Sequence, residues 1–280
     1  MAIDQLQNPF VYPPGWAELA NDLVGDRTLN VAGYEVTVRI TAEQLDRVYL
    51  PLLAILTDYR VGGRRVLAGL AGIPGSGKSA FAAAVALLGD RIWPSGRLAV
   101  VGMDGWHYPN AVLDTQTVPG EEGEPIPLRK RKGGPQSFDV SAMATALESL
   151  QPMHRFVNLP TYDRRLHDPV PDAIRIAAQT QIVFIEGNFL LSTKPPWDRV
   201  SSLLKPKFFL EANPAIARER IIERHVRGGA SLEQADEKFE TNDLLNIDAA
   251  RETAANADVI IRLDPNPQLR VQISLSGGSL

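Results

Sequence analysis

Phosphate chemistry is written most plainly in the stretch Gly72-Ile73-Pro74-Gly75-Ser76-Gly77-Lys78-Ser79. It fits G-x-x-x-x-G-K-[ST], a pattern in which glycines let backbone N–H groups curl around phosphate oxygens. The lysine of such a loop reaches the terminal phosphates, and the hydroxyl serves a magnesium ion. A helix starting near Lys78 adds the positive end of its dipole. Gly72, Pro74, Gly75, Ser76, Gly77, Lys78, Ser79 and Ala80 are therefore the candidate ATP-binding set, and Ser79 is a candidate Mg²⁺ ligand. An apolar run before the loop and an apolar helical pattern after it supply the context the motif requires, so an accidental glycine turn is the poorer account.

Two carboxylates stand at comparable places. Glu186 ends the run "IVFIEG", and Asp104 follows "LAVVGM" and precedes Gly105-Trp106-His107-Tyr108. Taken alone, Asp104-Gly105 reads as a turn former. Beside a P-loop it reads differently, because open α/β sheets bind ligands at the carboxyl ends of their strands. Glu186 is then the second metal-side ligand. Gly187 and Asn188 follow it where a water-activating second acid would stand, and no Asn-Lys-x-Asp guanine-reading motif is present. That combination suits transfer of phosphate to an acceptor other than water. A hydroxyl acceptor needs a base, which Asp104 can supply, with Trp106, His107 and Tyr108 walling the pocket.

The elements that must position these groups follow from periodicity. From residue 65 onward, apolar runs at 66–71, 98–103, 181–186, 208–210 and 258–263 alternate with helical patterns at 78–88, 140–150, 214–227 and 231–256. This is the signature of a doubly wound α/β fold, a mostly parallel sheet with helices on both faces. Asn213-Pro214 and Ser231-Leu232-Glu233-Gln234 are helix starts. Residues 1–60 form an N-terminal extended and helical appendage ahead of a kinase-like domain at 61–280. It holds the proline-broken opening "PFVYPPGW", a strand at 34–40 and a helix opened by Thr41-Ala42-Glu43-Gln44, which Pro51 should kink or split. Residues 105–136 lack periodicity, and a loop that long is functional or disordered.

Composition narrows the partners. A net charge of −4 argues against nucleic acid, which requires a basic surface, and the run Arg129-Lys130-Arg131-Lys132 suits a small anion at most. The absence of cysteine excludes disulfides and thiolate sites and fits a cytoplasmic protein. "MAIDQLQNPF" has no leader pattern, and no apolar run approaches a membrane span. A homodimer is allowed, since nothing in the sequence sets the oligomeric state.

The P-loop together with "MDGWHYPN", "KGGPQSFD", "IEGNFLL" and "RHVRGG" resembles the uridine kinase, phosphoribulokinase and type I pantothenate kinase superfamily over about residues 40–262. "VYLPLLAILTDY" is similar to pantothenate kinases, whereas "YDRRLHDP", "PWD" and "ERHVRGGASLEQA" look like the fructose-transport-system kinase branch. The resemblance implies ATP and Mg²⁺ as cofactors, Asp104 as catalytic base and Glu186 at the metal. It also implies an arginine lid near 218–232 in which Arg224 meets the transferring phosphate, with Arg220 and Arg227 as neighbours. Arg218 and Arg227 also fit a solvated helix face. Where pantothenate kinases carry Tyr-Ser-His, this chain has Tyr162-Asp163-Arg164, with His167 at a downstream Tyr position. The expected acceptor is accordingly a polar or anionic small metabolite, such as a sugar or sugar acid, read by His107, Tyr108, Lys132, Tyr162, Arg164 and His167. Pantothenate is the alternative acceptor. The alternative of another class is an ATP-binding regulatory protein without transfer activity.

Overall fold

The five apolar runs become the parallel part of one six-stranded sheet in the computed structural model, which describes residues 12–272 apart from 32, 61, 121 and 122. In spatial order the strands are Gln268–Val271, Val259–Arg262, Lys207–Leu210, Val66–Ala71, Ile182–Glu186 and Leu98–Gly102. All neighbours run parallel except Gln268–Val271, which closes one edge antiparallel to Val259–Arg262.

Alternate residues of these strands feed two apolar layers. Leu67, Ala71, Val183, Ile185, Phe209 and Ile260 face one, with helices Val140–Leu150, Trp197–Leu203 and Pro214–Arg227. Val66, Ala68, Leu70, Phe184, Phe208 and Ile261 face the other, with helices Lys78–Ile92 and Leu50–Asp58. Every residue of Val66–Ala71 is buried. Coverage of both faces is why these strands read as continuous apolar runs and not as alternating ones.

The N-terminal residues contribute one of those layers. Leu50, Leu52, Leu53 and Leu56 pack in the same cluster as Phe81, Val85 and Leu88, and Tyr49 stacks on Phe81 at 5.1 Å between ring centroids. The capping box at Thr41 is formed. Pro51 neither splits nor ends the helix. The turn before it, Leu45–Tyr49, is π-helical, and Pro51 falls in the first turn of Leu50–Asp58, where that irregularity accommodates it.

Three features depart from the sequence reading. The helix expected over 231–256 runs without interruption but not uniformly, passing from Leu232–Lys238 through a π turn Phe239–Asp243 into Leu244–Glu252 and a 3-10 turn Thr253–Asn256. Strand 34–40 gains a partner, Gly25–Val31. A long hairpin, Val157–Asp163 with Asp168–Ile176, rises where no strand is expected. Residues 105–136 hold only short elements, the longest being four-residue turns. The opening "MAIDQLQNPF" and the first residue of the extended stretch after it lie outside the described residues. Among the described residues no helix is long and apolar enough to cross a membrane.

Candidate active site

The strand Val66–Ala71 delivers the glycine loop at its carboxyl end, and contacts explain the glycines. A Cβ on Gly72 would lie 2.8 Å from Leu210 O. Gly75 has φ 77°, and a Cβ there would lie 2.4 Å from the Ala217 carbonyl oxygen. The loop is therefore wedged against helix Pro214–Arg227 as well as opened by positive φ. Gly77, at φ 91°, is the N-cap of helix Lys78–Ile92, whose first turn carries Lys78, Ser79 and Ala80. Pro74 and Ser76 are buried in the loop. Lys78 is 7% exposed and donates from Nζ to Ile73 O at 3.0 Å and Ser76 Oγ at 3.5 Å. Burial pushes its pKa down to about 8, with Arg224 acting in the same direction and Glu186 and Asp104 opposing.

Strand register places the carboxylates. Glu186 pairs with Leu70 on one side and Gly102 on the other, so it stands between the P-loop strand and the strand leading to Asp104. Its Oε1 accepts from Ser79 Oγ at 2.9 Å. Burial raises the Glu186 pKa and the Asp104 charge adds to that, against Lys78 and the Ser79 hydrogen bond.

Asp104 sits in the 3-10 turn Met103–Trp106, two residues past its strand. A Cβ on Gly105 would be 2.6 Å from Pro160 O, so this glycine lets the turn touch the long hairpin. The Asp104 carboxylate is 41% exposed and lies 3.6 Å from Arg164 Nη2 and 3.9 Å from His107 Nδ1. Burial works to raise its pKa, but His107, Arg164, Arg224 and Lys78 outweigh that and hold it low. Burial also pushes the His107 pKa down. Arg164, at 3.6 Å, is the nearest permanent cation to the Asp104 carboxylate. His107 Nδ1 lies 2.9 Å from the Asp104 carbonyl oxygen, which can only accept, so Nδ1 carries the proton.

The remaining candidates are distributed unevenly. The Tyr162 ring lies 5.2 Å from that of His107, and burial followed by the Asp104 charge pushes its phenol up to about 12. Lys132 Nζ stands 5.2 Å over the Tyr162 ring and donates at 2.6 Å to both Asn110 Oδ1 and His167 O. His167 itself is exposed, at φ 52° in the hairpin turn, and takes part through that carbonyl. Burial, followed by the Asp139 charge, raises the Tyr108 phenol. The His167 ring is the candidate the fold sets apart.

Of the arginines, Arg224 is exposed at the cleft and within electrostatic reach of Lys78 and Asp104. Arg220 crosses the P-loop, donating from Nη1 to Gly75 O at 3.3 Å. Arg218 pairs with Asp236 at 2.8 Å and lies 5.0 Å over Phe239, and Arg227 pairs with Glu223 at 2.6 Å, both as solvated partners. Sequence reasoning missed Asn110 and Asp168, which tie the loop after Asp104 to the hairpin turn through Asn110 N–H to Asp168 Oδ1 at 2.8 Å. It also gave His225 no role, although His225 Nε2 lies 2.7 Å from Asp243 Oδ2.

A doubly wound sheet with a P-loop at its central strand, an acidic strand end beside it and arginines above it defines a P-loop phosphotransferase. No family model matches the chain. It is 31% identical over 202 residues to the Schizosaccharomyces pombe protein named "Putative uridine kinase C227.14", covering 71% of this chain and 83% of that one. It is 27% identical over 236 residues to a pantothenate kinase of Bradyrhizobium sp. (strain ORS 278), covering 75% and 70% of the two chains. The crystal structure of a "putative fructose transport system kinase" from Silicibacter sp. TM1040 superposes with a TM-score of 0.60 at 29% identity, covering 70% of this chain and 88% of that one. The chain belongs to the P-loop kinases of the uridine kinase and pantothenate kinase superfamily. It is an ATP-binding phosphotransferase.

Proposed function

We propose that this kinase transfers the ATP γ-phosphoryl group to a hydroxyl of a small anionic or strongly polar metabolite, of the sugar or sugar-acid class. The observation that carries the reading is the meeting of Asp104 and Arg164 at 3.6 Å on the carboxyl edge that also holds Lys78, Ser79 and Glu186. In this reading the P-loop N–H groups and Lys78 bind the phosphates. Arg224 neutralises charge on the transferring group, from its place just ahead of Gly228-Gly229 in a lid near 218–232. Asp104 takes the acceptor's proton. Its low pKa keeps it ionised at neutral pH, so it is ready to accept.

Ser79 and Glu186 supply a hydroxyl and a carboxylate within 2.9 Å of each other, the oxygen donor set that suits Mg²⁺. Among the described residues no group of three or more His, Cys, Asp or Glu side chains could hold a metal unaided, which fits an ion completed by phosphate oxygens and water. The ion, when bound, would neutralise charge on the phosphates.

Arg164 and Lys132 bring two cations to the acceptor side, and Tyr162 and His107 give it a flat wall. Pantothenate remains the second reading, supported by relatives of that name at 27% identity. The test is ADP release from Mg·ATP across sugars, polyols, sugar acids, nucleosides and pantothenate, with Lys78→Ala as control. The expected outcome is turnover with a sugar or sugar acid that Lys78→Ala abolishes. Pantothenate turnover at kcat/KM of about 10⁴ M⁻¹s⁻¹ or above would promote the second reading. Turnover retained by Lys78→Ala would remove the P-loop assignment.

A further inference from the structure

Two loops of the proposed site are held by one turn whose Phe239, Asn242 and Asp243 are buried. Phe239–Asp243 is a single π turn between helices Leu232–Lys238 and Leu244–Glu252, and such insertions recur at functional sites. Its last residue, Asp243, is 6% exposed and grips His225 at 2.7 Å. His225 is the residue after Arg224, in the last turn of helix Pro214–Arg227. The residue before Asp243, the buried Asn242, donates from Nδ2 to Lys132 O at 3.1 Å. Arg131 Nη1 donates to the carbonyl of Thr241 at 3.3 Å. Three consecutive residues therefore hold the arginine-bearing helix end on one side and the Arg131-Lys132 loop on the other.

The chemistry of these contacts points to placement more than to stability. A buried Asp–His pair costs desolvation that its attraction only roughly repays, so apolar residues would hold the same helices at least as well. What the pair adds is direction. The hydrogen bond sets where the helix end sits, and so the angle from which Arg224 can approach Lys78 and Asp104.

We infer that Thr241-Asn242-Asp243 is a positioning element that couples the Arg224 end of its helix to the Lys132 loop, so that a loaded phosphate site is felt at the acceptor loop. The inference rests on the reading of the P-loop as the nucleotide site and of Lys132 as an acceptor-side group. Charge arriving at Arg224 draws the helix end, His225 transmits this to Asp243, and Asn242 carries it to the Lys132 backbone.

Hydrogen–deuterium exchange on the full chain, with and without Mg²⁺ and a non-hydrolysable ATP analogue, tests this without knowledge of the acceptor. In the wild type, the analogue should slow exchange in both 72–80 and 129–136 by about fivefold or more. His225→Ala and Asn242→Ala should keep the effect at 72–80 and reduce that at 129–136 to below about twofold. His225→Gln, which can still donate to Asp243, should restore it. Protection of 129–136 that survives in both alanine variants overturns the inference, as does its absence in a wild type whose 72–80 is protected. A wild type with no protection at 72–80 refutes instead the nucleotide site on which the inference stands.

Discussion

Lys78 is a cation that the unliganded fold disfavours, and replacing it should therefore stabilise the protein while removing its activity. Its pKa of about 8 in the folded protein, against an ordinary 10.5, corresponds to a desolvation cost of about 3 kcal/mol at 1.36 kcal/mol per unit. Lys78→Met keeps the length and apolar stem and removes the charge. It also removes the donor to Ile73 O, which costs about 1–2 kcal/mol. The net gain at pH 7 is then about 1–2 kcal/mol, a rise in Tm of about 2–5 °C for a chain of this size. The gain must depend on pH with a definite sign. Below about pH 8 the lysine is charged in both folded and unfolded states and the full cost is present. Between about 8 and 10.5 the unfolded chain binds the proton and the folded one does not, so wild-type stability rises with pH. Above 10.5 the charge-related cost is gone. Urea unfolding of both proteins at pH 7 and pH 10, followed by tryptophan fluorescence, should show the variant ahead at pH 7 and the difference shrinking at pH 10. Mg·ATP should raise the Tm of the wild type far more than that of the variant. A variant less stable than wild type at pH 7 by more than about 1 kcal/mol, or a difference unchanged with pH, refutes the picture of a buried, strained cation.

Asp104→Asn should lower kcat by about 10²–10⁴-fold with the preferred acceptor while leaving affinity for an ATP analogue close to wild type. Its Tm should barely move. The backbone oxygen, not the carboxylate, takes the His107 hydrogen bonds, and the half-exposed pair with Arg164 contributes at most about 1 kcal/mol. A kcat reduced by less than about threefold would make Asp104 a turn former only. Gly75→Ala forces a side chain into left-handed backbone, at about 1–2 kcal/mol, and into the Ala217 carbonyl 2.4 Å away, at about 1–3 kcal/mol more. Both Tm and ATP-analogue affinity should fall, and calorimetry showing both intact would mean the loop is not wedged against that helix.

The sequence discloses the sheet because burial on both faces leaves apolar runs, alternating with helical patterns and bounded by turn residues. The P-loop strand is legible to the residue. The hairpin Val157–Asp163 with Asp168–Ile176 is hidden because it carries Pro160, Pro169 and Pro171, which read as strand breakers. Pro160 falls where the register shifts between Leu159 and Thr161, a bulge that has no ladder hydrogen bond for proline to lose. The π turn within 231–256 is illegible for another reason. A π turn shifts the helical phase without any breaker residue, so Asp243 and Asn242 turn inward where a straight helix would not bring both. Contacts between residues far apart in the chain, such as His225 with Asp243, leave no local signal at all.

The acceptor side shows how one residue pair can answer two demands. Asp104-Gly105 reads from sequence either as a turn or as a catalytic acid with an incidental glycine. Its glycine is needed because Pro160 O would lie 2.6 Å from any Cβ, and that close approach is what brings Tyr162 and Arg164 to Asp104. The two cations there are not equivalent. Lys132 Nζ spends two of its three hydrogens at 2.6 Å on Asn110 Oδ1 and His167 O, so it braces the loop and offers an acceptor little more than its field. Arg164 stands 3.6 Å from Asp104, beyond hydrogen-bond distance, and among the described residues its fork of donors makes no hydrogen bond, so it could meet a carboxylate or phosphate in two bonds. An anion bound there would also lie beside the base. Its charge would weaken the hold of Arg164 on Asp104 and raise the pKa of that carboxylate toward the value a proton acceptor needs. On the proposed reading, anionic acceptors would thereby be favoured twice, once in binding and once in the basicity of the group proposed to receive their proton.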